Sequence, residues 1–144
     1  MGLRIVFRLN PDRGFAAAGS ALPVNPERLP GASETEYLNL DNLAAGRDLF
    51  RQGAIEQRLF IEALGKLELA PELLATCVDV TLPANATAFH FDMAQLVAQG
   101  QSMGGQYTNM IGAIEPRIRA VVPTGAGGYW SHFILVTPLI DNVA

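Results

Sequence analysis

Cysteine is almost missing from this chain. Cys77 is the only one in 144 residues, so no intrachain disulfide can form and thiolate metal sites are excluded. Charge is sparse as well, at 17% of residues, and no excess of basic side chains exists. Ten Lys and Arg against 14 Asp and Glu leave a net charge of −4, the wrong sign for a phosphate-binding surface. Nucleic acid is therefore not the expected partner. No apolar run approaches the ~18 residues a membrane span needs. The longest, Phe133 to Ile140, is broken by Thr137 and Pro138. The N-terminal Met-Gly-Leu-Arg-Ile-Val-Phe-Arg has too short an apolar core to act as a secretory signal. Histidine occurs only as His90 and His132, without a neighbouring ligand pattern, which gives no basis for a metal site. No G-x-x-x-x-G-K-[ST] loop occurs, and Gly125-Ala126-Gly127-Gly128 has Trp130 where a dinucleotide fingerprint needs its third glycine. No cofactor is implied.

What is present is a globular composition, 49% hydrophobic, at a length of about one domain. Leu3 to Leu9 reads as a short strand, apolar enough to be a buried parallel one. Residues 10–38 follow as loop, because Gly19, Pro23, Pro26, Pro30 and Gly31 can sustain neither helix nor central strand. From Asp41 to Leu64, Leu43, Phe50, Ala54 and Ile61 recur on one helical face, widened by Leu49, Phe60 and Leu64. Asn39 or Asp41 is the expected cap and Gly65 the end. Residues 71–92 read as an irregular insertion. Within it, Asn85-Ala86-Thr87 matches a glycosylation acceptor but is read as chance.

The last third is more regular. Leu96-Val97-Ala98 is a brief strand, and Tyr107, Met110, Ile111 and Ile114 mark a helix that Pro116 closes. Ile118 to Val122 is a further strand, ending at the turn Gly125-Ala126-Gly127-Gly128. Strand, helix, strand, glycine turn is the alternation of an α/β fold with a parallel sheet.

Between the first of these strands and its helix lies Gly100-Gln101-Ser102-Met103-Gly104, a G-x-S-x-G pentapeptide. About 0.04 chance matches are expected in a chain of this composition. Its position matches a mechanism: a sharp strand-to-helix turn strains the serine and lifts its hydroxyl above the strand ends. Glycines at 100 and 104 make room for that turn. The helix then aims its first N–H groups at a developing oxyanion, Met103 N–H foremost.

The pentapeptide with Gly105, the downstream Glu115-Pro116-Arg117-Ile118-Arg119-Ala120-Val121-Val122, the glycine turn and the upstream Asn42 to Gln52 helix together resemble the α/β-hydrolase family, in particular bacterial serine esterase or lipase-like members. The similarity covers roughly residues 39 to 132, with 71–92 poorly matched. It implies an incomplete α/β-hydrolase fold, a partial parallel sheet with flanking helices. It implies a serine hydrolase of carboxylic esters, with Ser102 as nucleophile and no metal or organic cofactor. It also implies an acid and then a histidine after later strands. Of the acids after Ser102, Glu115 is expected on the surface and Asp141 has no histidine behind it. The chain is accordingly expected to be an interior piece of one hydrolase domain, with its triad partners outside it and little activity in isolation.

Gln101, Tyr129, Trp130 and His132 are candidates for lining a substrate pocket, since ligands bind beyond the carboxyl ends of strands. Phe133 joins them on the same ground. His132 as catalytic base stands in the wrong place for the family, and His90, between Phe89 and Phe91, is expected to be packed or partly exposed. A partial parallel sheet exposes an edge through which the chain is expected to self-associate. The contrasting reading is a non-catalytic scaffold of the same fold that binds a small apolar ligand or a partner, with the elbow kept as a structural turn.

Overall fold

The computed structural model describes residues 8–10, 15–33, 36–39, 41–77 and 80–136. They contain helices and a small parallel sheet, an α/β arrangement. Contacts divide the chain into two compact units, one up to Ala94 and one from Gln95 onward.

In the first unit, β1 (Arg8–Asn10) pairs antiparallel with β2 (Phe15–Ala17). The expected parallel strand over Leu3 to Leu9 is thus corrected where it is described, and its earlier residues lie outside the described ones. Strand β2 falls within the stretch expected to be loop. Its side chains are all exposed, so it needs no apolar alternation and the proline-rich composition around it leaves it undisturbed.

Helix α1 runs from Leu43 to Gly65. Its cap is Asn42, whose side-chain oxygen accepts the Ala45 N–H at 3.0 Å, rather than Asn39 or Asp41. Asn39 is in the left-handed region instead, at φ 45°. The buried line is Gly46, Gly53, Ala54, Ile61 and Leu64. Leu43, expected on that line, is 68% exposed because it sits in the first turn, beyond the reach of the core. The two glycines were invisible to a count of apolar residues. Gly46 lies where the helix meets the 3-10 turn Glu36–Leu38, and a Cβ there would stand 3.2 Å from the Leu38 carbonyl oxygen. Beyond the helix, the described residues of 71–92 include the 3-10 turn Pro71–Leu74, and Phe89 bridges back to Leu69.

The loop before α1 is pinned to it by polar contacts. Arg28 forms a two-pronged ion pair with Glu56, and Gln57 Nε2 donates to Ser20 Oγ at 2.8 Å. The hydrogen bond from Arg28, against an opposing desolvation cost, holds the Glu56 carboxyl below its usual range. A carboxyl depressed in the folded state stabilises that state above its unfolded pKa, and the contribution is lost as pH falls through the folded value. Glu56→Gln is therefore expected to lower stability in the neutral region, where the contribution is fully present, and to change it least at low pH, where Glu56 is protonated, so that the acid limb flattens. Urea midpoints from pH 3 to 7 read this directly.

The second unit is a β–α–β arrangement. Strand β3 (Leu96–Gln101) leads into α2 (Met103–Ile114), and β4 (Ile118–Thr124) returns parallel to β3. Leu96 pairs with Ile118 and Val97 with Ala120, so Arg119 is an extra residue at the start of β4. Burial alternates strictly along β3, with Leu96, Ala98 and Gly100 on the more covered side and Val97, Gln99 and Gln101 exposed. Gly100 faces α2, so the covered side is the helix side. The buried face of α2 is Gly105, Tyr107, Thr108 and Ile111. Ile114, expected to be part of it, is 45% exposed at the helix end.

Helix and sheet approach closely at Gly112. A Cβ added there would lie 2.5 Å from Val121 Cγ1. Gly112→Ala is expected to be destabilising in the native background and close to neutral, or better, when Val121 is cut to alanine. The gain in helix propensity remains while the overlap is removed. A double-mutant cycle in urea should return a coupling of about 1 kcal/mol between the two positions. Additivity would show that this contact is not what keeps residue 112 a glycine.

Candidate functional site

Ser102 stands alone between β3 and α2, with φ 54° and ψ −121°. Side chains rarely adopt a backbone of that kind, because the Cβ crowds the adjoining carbonyl. Three contacts impose it. The Ser102 N–H donates to the Thr124 carbonyl at 2.8 Å, which ties the end of β3 to the end of β4. Its carbonyl accepts the Gln106 N–H at 3.2 Å, the first closure of the helix. Beneath it, Gly100 sits so near α2 that a Cβ would lie 2.2 Å from the Gly104 carbonyl oxygen and 2.6 Å from Thr108 Oγ1. Thr108 is 4% exposed, and its hydroxyl donates back to that same Gly104 carbonyl at 2.8 Å.

The glycines therefore divide differently from the pentapeptide expectation. Gly100 is required by space, whereas a Cβ on Gly104 would meet nothing within 4 Å. The second tight position is Gly105, where a Cβ would stand 3.0 Å from Ala126 Cβ and 3.1 Å from the Thr124 oxygen. Thr124 and Thr108 went unnoticed in the sequence, and Gly105 entered only as part of the resemblance. The doublet Gly104-Gly105, with a threonine four residues after Gly104, was the available signal.

Serine at a helix N-cap usually accepts a hydrogen bond from the second or third N–H of the helix. Ser102 does not: its side chain makes no capping bond, and the residue is exposed. The hydroxyl is thus not used by the helix it precedes. Helix geometry leaves the N–H groups of Met103 and the next two residues without intrahelical acceptors, and the helix dipole adds positive character there. Such an end stabilises negative charge developing beside the Ser102 hydroxyl.

Other expected site residues lie around the same strand ends. Gln101 is exposed as the last residue of β3. The turn after β4 has φ 57° at Gly125 and 65° at Gly127. It leads into α3 (Trp130–Val136), where Tyr129 and His132 stack with ring centres 6.5 Å apart and planes 19° apart. Tyr129 is 71% exposed, His132 is exposed and Trp130 is half-buried. The Phe133 side chain lies outside the described residues. Among the described residues, no hydrogen bond joins the Ser102 hydroxyl to a histidine or carboxylate, and no group of three metal-ligating side chains occurs. His90 belongs to the first unit and is exposed. No described helix is long and apolar enough to cross a membrane.

Glu115 corrects an expectation. It was placed on the surface, yet it is 2% exposed. Its Oε1 accepts the Arg117 backbone N–H at 3.1 Å and Nε at 2.7 Å, and its Oε2 accepts Nη2 at 2.9 Å. A carboxylate can be buried when a guanidinium forks onto it and a backbone donor completes its bonding. This pair fixes the turn from α2 into β4, at the end of the helix away from Ser102.

Comparison of the chain with protein-family models, with curated proteins and with solved structures finds no match.

Proposed function

We propose that this chain carries the nucleophile of a serine hydrolase acting on carboxylic esters. The observation that supports the reading most is Ser102 itself. Its backbone is at φ 54°, its hydroxyl caps nothing, and it is exposed between the end of a strand and the start of a helix. Strain of this kind costs about 1–3 kcal/mol and collects where geometry serves chemistry. A purely structural turn at this position would be better made by glycine.

In the proposed reaction Ser102 Oγ attacks the ester carbonyl carbon and the carbonyl oxygen becomes an oxyanion. The Met103 N–H donates to that oxyanion. A histidine oriented by an acid, both outside residues 1–144, takes the serine proton and returns it to the departing alcohol. Water then releases the acid by the reverse sequence. His132 is not assigned as the base, since its ring stacks on Tyr129 and makes no bond to Ser102.

The test is ester turnover by the full natural protein. Ser102→Ala is expected to remove it to background, with folding preserved. Turnover that survives the substitution rejects the reading and leaves the scaffold alternative.

A further inference from the structure

Gln106 holds a buried acceptor without a donor. The residue lies in the first turn of α2, where its N–H closes that turn on the Ser102 carbonyl at 3.2 Å. Helical side chains lean toward the helix N-terminus, so this one reaches back over the turn that Ser102 begins. Its Nε2 comes to rest beside Gly127, 3.9 Å from where a Cβ would stand. Its Oε1 is buried, and among the described residues no donor reaches it. Almost no surface of that oxygen is open to a water molecule, so solvent does not supply the bond. A buried acceptor left in this way carries its full desolvation cost, which an apolar side chain of the same length would avoid.

Suitable donors are adjacent. The glycine turn joins β4 to α3, and among the described residues the N–H groups of Gly127 and Gly128 make no hydrogen bond. Gly127 is at φ 65°, and with glycine on both sides the peptide plane between the two turns without a Cβ in the way.

The same turn stands behind Ser102. It follows directly on Thr124, whose carbonyl holds the Ser102 N–H at 2.8 Å, and its Ala126 lies against Gly105. Whatever steadies the turn therefore steadies the Thr124 carbonyl, and with it the Ser102 backbone at φ 54°.

We propose that Gln106 is a positioning residue for Ser102. Rotation of the Gly127–Gly128 peptide presents an N–H to Gln106 Oε1, the glycine turn closes on the first turn of α2, and the Thr124 carbonyl is held where the strained serine needs it. The structure shows the open side of this latch, with acceptor and donors adjacent and unjoined. Both halves belong to the second unit. The effect of the latch on turnover rests on the proposed esterase reading, whereas its effect on the Ser102 backbone does not.

Residue-resolved hydrogen exchange of the full natural protein tests this, in the native form and as Gln106→Met and Gln106→Glu. Methionine fills the same space without the acceptor. Glutamate keeps an oxygen at the same reach, and its charge suits the first turn of a helix. The Gly127 or Gly128 amide is expected to exchange about fivefold slower in the native protein than in the methionine variant, the ratio supplied by a hydrogen bond of ordinary net strength. The Ser102 amide should exchange faster by a similar factor in the methionine variant and return to the native rate in the glutamate one. The urea midpoint of the methionine variant should stay near the native value, because an apolar side chain of similar shape replaces a buried polar one at little net cost. That divergence separates positioning from packing, since a side chain that merely fills space moves local exchange and global stability together. In ester turnover, kcat should fall in the methionine variant with KM little changed, and recover with glutamate. Exchange at the rate of an unstructured chain at both Gly127 and Gly128 in the native protein overturns the proposal, even where the methionine variant fails to fold. Ser102 exchange that ignores the substitution overturns it too. A native protein without ester turnover removes the hydrolase reading, while exchange at residues 102, 127 and 128 still decides the role of Gln106.

Discussion

Gly100→Ala is expected to destabilise the protein by about 3 kcal/mol or more, near or beyond the upper end of overpacking costs. The added methyl would overlap the Gly104 carbonyl, at 2.2 Å from its oxygen and 2.3 Å from its carbon, and would crowd Thr108 Oγ1. Two of those atoms are backbone, so no rotamer change relieves the overlap. Either β3 parts from α2 or the Ser102 turn opens. A loss of this size is a large part of the 5–15 kcal/mol that holds a domain together. Gly104→Ala is the informative partner. Its Cβ would meet nothing within 4 Å, and alanine is the better helix former by about 1 kcal/mol. It should be neutral or slightly stabilising in the same urea titration. Equal effects at 100 and 104 would mean that the pentapeptide's glycines matter as a pair, for a reason other than this contact.

Ser102→Gly is expected to raise stability while removing all ester turnover. The serine pays the strain of φ 54° and ψ −121°, about 1–3 kcal/mol, and glycine does not. Glycine gives back about 0.5–1 kcal/mol through the greater freedom of its unfolded chain, leaving a net gain on the order of 1 kcal/mol. Ser102→Ala separates the two quantities. Alanine keeps the strain and loses the nucleophile, so stability should stay near that of the native chain and turnover should vanish. A glycine variant no more stable than the alanine one would contradict the strain argument. A stabilised glycine variant that still cleaved esters would contradict the nucleophile.

The sequence by itself determined the local elements that rest on short-range rules. Apolar spacing marked α1 and α2, short apolar runs marked β3 and β4, and G-x-S-x-G marked the turn between strand and helix. Each of these follows from chain neighbours within about four positions, where side-chain periodicity and glycine placement act directly. The sharp backbone at Ser102 was legible for the same reason, since a strand running straight into a helix leaves one residue to make the turn.

Only the structure decided what spacing leaves open, the approach of distant segments and the pairing of particular polar side chains. It moved the tight glycine from 104 to 105, because Ala126 and the Thr124 carbonyl, some twenty residues away, press on that position. It buried Glu115, because a carboxylate's burial depends on the guanidinium it finds, and the Arg117 fork lies across the turn into β4. It exposed Leu43 and Ile114, which share the apolar spacing of their helices but lie at ends the packing does not cover. It put Asn42 at the cap in place of its neighbours, as one residue of helix phase decides which side chain reaches an open N–H. Periodicity names a face; how far that face is covered is set by what arrives against it.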